Sequence, residues 1–457
     1  MKFTFLSCLL LLLLFSCNRG EIPLEIVEDP LPYTVSGRVT DLIGIGIEGV
    51  QVLYSPTEFV LSDDQGYWAI ADLYGEHTLS LMAEGYTFLP LAVQVDRSRE
   101  NLFFKGTPVA REHETKIYTW LSEQQLANGL VEGAENGNVV SLYDNALASM
   151  VFMLKGDFTK AEKIFDFFNG RISTELTSGV GGFSQLRDGN GRPNNHRWMG
   201  DNAWLLIALN HYKALTSSTR YDNLAKELRD WLLSLQDADG GLFAGYAADN
   251  SLMNYKVTEG NIDAFNAIDG YTDFHRHLLD FLENDRWDAA DKSLVAWPTN
   301  PKYLYALDLH AWSYAIFEDY PIATLTAAER FVTTKTATNG AQITGYCFDE
   351  DKDTVWPEGT GQMALAFGIA GMSTERDFYL KEMEKILLQS PSHANAAGFP
   401  YASNPGTTYG ADVLWTGADT KIAPSGGAWY IFAKSNFNPF AVGRNKEIPV
   451  ADMFWVD

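Results

Sequence analysis

The chain has 457 residues, 46 % of them hydrophobic and 13 % aromatic, and a formal net charge of -25. At roughly 150 residues per domain, that length suggests two or three domains. The acidic excess excludes nucleic acid and other polyanions held by a broad basic face, because such binding needs Lys and Arg against phosphates; neutral, stackable ligands such as sugars suit this composition better.

Met1 and Lys2 precede an almost wholly apolar run, Phe3 to Phe15. A basic start followed by a short apolar stretch reads as a signal peptide over residues 1–16, too short for a comfortable transmembrane helix. Leu14-Phe15-Ser16-Cys17 resembles a bacterial lipobox, although Phe15 is a less usual residue at its place. The resemblance implies cleavage before Cys17, lipidation of its thiol, and a lipid-anchored place in the cell envelope, facing the periplasm or the exterior. Residues 17–32 are polar with several prolines and read as a tether. Of the cysteines Cys8, Cys17 and Cys347, only Cys347 would then stay free. Neither an internal disulfide nor a Cys-based zinc site is expected.

From Tyr33 to Pro108 short alternating runs predict a β-sandwich. The strands are Tyr33–Thr40, Val50–Tyr54, Tyr67–Ile70, Thr78–Met82, Leu91–Val95 and Asn101–Phe104, with turns at Gly44 to Gly49, Asp63 to Gly66 and Ala83 to Tyr86. The ordered motifs Val35-Ser36-Gly37-Arg38-Val39-Thr40-Asp41, Glu48-Gly49-Val50, Asp64-Gln65-Gly66-Tyr67 and Glu84-Gly85-Tyr86 resemble the carboxypeptidase regulatory-like domain, a transthyretin-like sandwich. That resemblance implies a spacer or docking module without catalysis.

From 111 to 457 amphipathic helices take over, and internal similarity becomes the informative signal. Six segments pass from polar or small residues through an Ala into an apolar run; their alanines are Ala146, Ala203, Ala264, Ala311, Ala364 and Ala428. A helix that is apolar nearly all round is buried on most sides, so these read as inner helices. Between them lie conventional amphipathic segments: Glu112–Leu126, Phe158–Phe168, Arg220–Leu235, Asp273–Leu282, Thr324–Thr334 and Glu375–Leu388. Six inner and six outer helices in alternation predict an (α/α)6 toroid, with an open solenoid as the rival. The fold class is thus multidomain, a small all-β sandwich followed by a large all-α toroid. This half resembles the six-hairpin glycosidase superfamily, which implies a carbohydrate-active cleft at the mouth of the barrel.

The inner-helix starts carry acids: Asp144, Asp201, Glu259 with Asp263, Asp308 and Glu358. Acids at such ends either cap the helix or face the cavity. Beside them stand Tyr143, Trp198, Asn202, Trp204, Asn261, His310, Trp312, Trp356 and Gln362. Sugars need this mixture, aromatic rings for their CH faces and carboxylates or amides for their hydroxyls. Glycoside hydrolysis needs one protonated and one ionised carboxyl. Glu358, between Trp356-Pro357 and Gly359, is the preferred acid because an apolar neighbourhood raises its pKa; Asp201 and Glu259 are the preferred bases. Many families on the scaffold that this half resembles invert, which points to inversion. The other acids and their aromatic and amide neighbours are expected to bind substrate.

No cofactor and no metal are expected. Asp349-Glu350-Asp351-Lys352-Asp353 lacks the Gly and distal Glu of an EF-hand, Asp237–Gly241 reads as a turn, and His196, His275, His277 and His310 show no metal spacing beyond His275-x-His277. No Gly-rich phosphate loop and no nucleophile elbow occurs. Two rivals remain at this stage. A polysaccharide lyase could use His196 and Arg197, and a non-catalytic glycan-binding lipoprotein would keep the aromatic residues without needing two acids. An epimerase would need converging His residues, and only His310 lies at an inner-helix start.

Overall fold

The computed structural model describes residues 31–456 apart from 56, 84, 91, 109–111 and 445. The signal peptide, Cys17 and nearly all of the tether lie outside the described residues, as do Glu84 and Leu91. None of the described helices is long and apolar enough to cross a membrane.

Strands come first: β1 (Tyr33–Thr40), β2 (Gln51–Leu53), β3 (Phe59–Leu61), β4 (Tyr67–Leu73), β5 (His77–Met82), β6 (Tyr86–Leu89), β7 (Ala92–Val95) and β8 (Arg99–Pro108). Side chains alternate between faces: in β4, Trp68 and Ile70 are buried while Tyr67 and Ala69 are exposed. The strands form two four-stranded sheets, ordered β4-β1-β8-β6 and β3-β2-β5-β7. One core, with Val35, Val39, Val52, Trp68, Leu79 and Phe104, lies among them. Sequence reading passed over β3 and placed the start of β6 in a turn. Both are short strands at sheet edges, and β3 buries no residue fully, so neither leaves a clear alternation. Ile43, in the turn after β1, packs into the separate helical core.

Among the described residues of that helical part, six inner helices alternate with six outer ones. The inner set is α2 (Leu142–Leu154), α4 (Met199–Thr216), α6 (Thr258–Ala267), α8 (Leu307–Ile316), α10 (Pro357–Ile369) and α12 (Pro424–Lys434). The outer set is α1 (Glu112–Glu123), α3 (Phe158–Asn169), α5 (Asp222–Ser234), α7 (Asp273–Arg286), α9 (Ala323–Ala327) and α11 (Ser373–Glu384). Every residue of α10 from Pro357 to Phe367 is buried, whereas α5 buries only Leu224, Leu228, Trp231 and Leu232, one stripe at helical spacing. Each inner helix packs on the next around the ring, and α12 returns to pack on α2. That return separates a closed toroid from an open solenoid, whose end repeats do not meet.

Two sequence-based expectations need correction. The fourth outer helix is not continuous over Thr324–Thr334: α9 ends at Ala327, a 3-10 turn follows, and Val332–Thr336 pairs with Gln342–Tyr346 as a hairpin. The run Val332-Thr333-Thr334 is β-branched, and such residues are stiff in a helix and pack well in a strand. The alanine alignment is also out of register in two repeats. The inner helices start after Ser141, Trp198, Val257, Ala306, Trp356 and Ala423. Ala146, Ala203, Ala311 and Ala428 stand five residues past these positions, but Ala264 stands seven past and Ala364 eight past.

Six residues past their own starts, Trp204, Trp312 and Trp429 converge on the barrel axis. Their ring centroids lie 5.4 to 6.2 Å apart, and Phe440 packs against all three. This plug fills the middle of the ring. The segment after α12 seals the far end: Asn438 and Arg444 donate to the Ala315 carbonyl, and the buried Lys446 ammonium donates to that of Ile268. The mouth at the N-terminal ends of the inner helices therefore stands above an aromatic floor.

Candidate functional site

The corrected register places the acids in two layers at this mouth. Glu259, Asp308 and Glu358 stand two residues past their helix starts, and Asp144 and Asp201 stand three past. Asp263 lies one turn deeper in α6. Small residues let the helix starts approach: a Cβ on Gly200 would meet Asp263 Oδ2 at 3.2 Å and Gly260 Cα at 3.4 Å. The six carboxyls form a closed electrostatic circuit. Asp144 senses Glu358 and Asp201, Asp308 senses Glu358 and Glu259, and Asp263 senses Glu259, Asp308 and Asp201. The structure thus brings together all six acids singled out in the sequence.

Burial disfavours charge on every one of them, and neighbouring carboxylates add to the effect on three. Asp144, Asp263 and Asp308 are pushed well above the usual carboxylate range, first by burial and then by these neighbours. Burial lifts Asp201 to about 7, opposed by hydrogen bonds from Gln185 and from the Tyr143 backbone. Glu259 also rises to about 7 through burial, opposed by its own backbone N–H and by the Arg286 charge. Burial raises Glu358 as well, but it is the best supplied with donors. The Tyr143 hydroxyl donates to its Oε1 at 2.6 Å, the Gln362 amide approaches at 3.4 Å, and Ser425 faces it. Trp429 Nε1 in turn donates to the Tyr143 oxygen at 2.9 Å. Tyr401 from the 397–404 segment donates to Asp144 Oδ2 at 3.3 Å.

Several polar atoms at this mouth find no partner within the protein, Glu259 Oε2, Gln362 Oε1 and the indole Nε1 of Trp356, and the indole Nε1 of Trp312 in the floor finds none either. Buried polar groups are ordinarily hydrogen-bonded, so such a set of acceptors and donors asks for an explanation. A ligand rich in hydroxyls, each both donor and acceptor, matches it.

Glu259 also lines a cleft of about 600 Å³ beside the circuit. Trp198, Tyr255, Trp297, Tyr303 and Tyr409 form its aromatic wall, with Asp412 at the edge. Of these, sequence reading singled out Trp198 and Glu259 alone. The other aromatics lie in connections between helices, where no periodic pattern marks them; the loops before three inner helices assemble them. The acidic run Asp349–Asp353 proves to be part of this wall's support. Gly410 N donates to Asp349 Oδ2 at 3.0 Å and Thr408 N to Asp353 Oδ2 at 2.7 Å, which anchors the short hairpin bearing Tyr409 and Asp412. The Asp237–Gly241 turn lies outside the cleft, with its Asp237 held by Lys256 at 2.8 Å.

Other expected substrate-binding residues are committed to the protein. Asn202 Oδ1 accepts from Phe183 N at 2.9 Å, and its amide donates to the Phe183 and Trp198 carbonyls. Asn261 holds Leu242 N, Leu242 O and Val257 O in the same way, and Asn145 holds Val131 and Ser141. These amides pin the preceding loop to the helix start, so they correct the reading of Asn202 and Asn261 as sugar ligands. Thr360 does the same in α10 with Tyr346 N and Trp356 O. His310 is fully buried, its Nδ1 3.0 Å from the Thr324 carbonyl and its ring against Phe331. Trp204 and Trp312 belong to the floor, whereas Trp356 stacks near Trp415 at the mouth. Arg197 bonds Asn195 and Asn250 and does not line the cleft, and His196 lies edge-on to Trp198 with its pKa lowered by burial.

No family model matches the chain, and no curated protein matches it. Solved structures do. A wild-type glycosidase superposes with a TM-score of 0.53 at 13 % identity, covering 72 % of this chain and 98 % of that one. A variant of a glycosidase in complex with glucose gives 0.51 at 13 % identity over 72 % and 98 % of the two chains. The chain shares the toroid fold of these structures. A cellobiose 2-epimerase from Bacillus thermoamylovorans aligns at 0.49 with 13 % identity, over 71 % and 97 %. On this fold, the acid circuit and aromatic wall described above sit at the open mouth of the ring.

Proposed function

We propose that this protein is a glycoside hydrolase that cleaves a poly- or oligosaccharide by an inverting two-carboxylate mechanism. The observation that carries the reading is Glu259, which belongs both to the circuit of acids and to the aromatic cleft. Its pKa near 7 and its unpartnered Oε2 suit a general acid that protonates the glycosidic oxygen. Glu358 suits the base, because the Tyr143 hydroxyl and its other donors oppose the rise in pKa that burial imposes on it. This reverses the roles read from sequence, where the Trp-Pro neighbourhood was set against no donors. In the reaction Glu358 takes a proton from water, the water oxygen attacks the anomeric carbon, and the bond to the leaving oxygen breaks as Glu259 delivers its proton. The two acids project from α6 and α10 with α8 between them. That spacing favours the wider gap, roughly 6.5–9.5 Å, that leaves room for water in an inverting enzyme. Asp201 and Asp144 complete the acid circuit on the other side.

The neighbour in complex with glucose supports a sugar as occupant. Against a lyase stands the cleft lining, which includes no Lys or Arg to neutralise a uronic acid. Incubation of the purified protein with neutral and acidic glycans is expected to release new reducing ends from a neutral glycan. Unsaturated products would instead identify a lyase, and tight binding without new ends a glycan-binding protein.

We also propose that the hydrolase is anchored in the cell envelope through lipid on Cys17, with residues 33–108 as a regulatory-like spacer. Metabolic labelling with a fatty acid is expected to mark the wild type and to place it in the membrane fraction. Cys17→Ser should lose both; an unlabelled wild type in the soluble fraction would refute the anchor.

A further inference from the structure

We propose that the cleft takes a neutral glycan chain across several consecutive sugar units, seated on the aromatic wall that Glu259 shares. This inference rests on the hydrolase reading above and adds the charge and the extent of the substrate.

The extent comes from the wall. Trp198 and Tyr255 lie 6.3 Å apart by ring centroid, Tyr255 and Trp297 5.3 Å, Trp297 and Tyr303 6.4 Å, and Tyr303 and Tyr409 5.0 Å. The five rings therefore form one unbroken series, and each keeps part of its surface exposed. A single sugar stacked beside Glu259 would cover one or two of them. The remainder would leave apolar surface facing water in a cleft whose volume, about 600 Å³, lies well inside the range for sites that enclose larger ligands.

The wall is also built to hold its shape. The Tyr409 hydroxyl donates to the Tyr303 carbonyl at 3.2 Å, and the Tyr303 hydroxyl donates to Asp412 Oδ2 at 2.7 Å. Ala411 N donates to the Tyr303 oxygen at 3.2 Å. Asp349 and Asp353 fix the same hairpin from behind. A surface whose rings are already fixed loses little conformational freedom when a chain settles on it.

The charge comes from the lining. Its ionisable members besides the tyrosines are Glu259 and Asp412, and Glu259 is coupled to the other acids of the circuit. A uronate, sulfate or phosphate on the sugar would meet the carboxylates of a lining that includes no cation, while the Arg286 charge nearby already interacts with Asp285 and Glu259. A neutral chain meets hydroxyl-bonding acids and ring faces.

The test compares disaccharide to hexasaccharide series of gluco-, manno-, galacto- and xylo-oligosaccharides, with polygalacturonate as the anionic probe. For the series that is cleaved, kcat/KM should rise at least tenfold from disaccharide to tetrasaccharide, and polygalacturonate should not be cleaved. Trp297→Ala and Tyr303→Ala should collapse that tetrasaccharide-to-disaccharide ratio towards one. Cleavage with no dependence on chain length, or a ratio that survives both substitutions, would overturn the extended track and leave the hydrolase reading standing. Cleavage of polygalacturonate would overturn the neutral assignment. If no series is cleaved, calorimetry with the hexasaccharides separates the cases: binding strengthened by length supports the track on a non-catalytic protein, and no binding overturns both readings.

Discussion

Glu259→Gln should lower kcat/KM on a cleaved glycan by about 10³-fold and at the same time raise Tm at pH 8. The first effect follows from loss of the proton donor, since a positioned general acid contributes on the order of 10²–10⁴. The second follows from linkage. The folded-state pKa of Glu259 is raised from 4.5 to about 7. The folded protein therefore holds a proton that the unfolded chain has released between those values, and this favours folding at low pH. That contribution is fully present below pH 4.5 and is lost as pH rises through about 7, where the cleft must hold a charged carboxylate. The amide removes the charge. After discounting for the partly exposed side chain, the gain is about 1 kcal/mol, or roughly 2–4 °C, and it should shrink towards zero at pH 5. Wild-type activity should fall as pH rises through about 7, because the acid must be protonated. Thermal melts at the two pH values with a pH–rate profile check all three. A variant that loses activity and also loses stability at pH 8 would point to a structural acid. Stability surrendered for function in this way is the usual trade at active sites.

The parts of the fold visible in the sequence were those with a strong local signature. The inner helices are apolar all round and the outer helices carry one stripe, and this contrast survives in the structure. It failed at α9, where β-branched residues continued a helical pattern into a hairpin. It also failed in register, because alanine is permitted at many buried positions and marks none of them. The loop-pinning residue four past the start in four of the six inner helices, Asn145, Asn202, Asn261 or Thr360, is the better ruler, since its bond to the helix-start carbonyl has a fixed offset. The acids were legible because they sit at helix starts. The surroundings of Glu358 were not, because they come from Tyr143 and Ser425, on two other inner helices. Nor was the wall of Tyr255, Trp297, Tyr303 and Tyr409, which comes together from loops before three different inner helices.

Asn202→Ala is expected to destabilise the protein by about 2–4 kcal/mol while leaving KM within about twofold of wild type. Asn202 is fully buried and its amide makes three hydrogen bonds to backbone, two of them to Phe183. Truncation leaves the Phe183 N–H and C=O and the Trp198 C=O short of partners in the interior. The cost of an unpaired buried group is about 1–3 kcal/mol, and some relaxation of the loop will recover part of it. Asn202→Asp is the sharper control. A carboxylate still accepts from Phe183 N but repels the two carbonyls that the amide served, so it should recover little stability. Asn261→Ala should behave like Asn202→Ala, because its bonds to Leu242 and Val257 repeat the same geometry one hairpin later. Denaturant melts and Michaelis–Menten analysis on the same samples decide the matter. A KM raised tenfold or more with an unchanged melt would restore both asparagines to the substrate. A falling melt with an unchanged KM shows that recurrence at the inner-helix starts reports, at these positions, how the toroid fastens its loops, and that the chemistry lies with the acids one or two residues earlier.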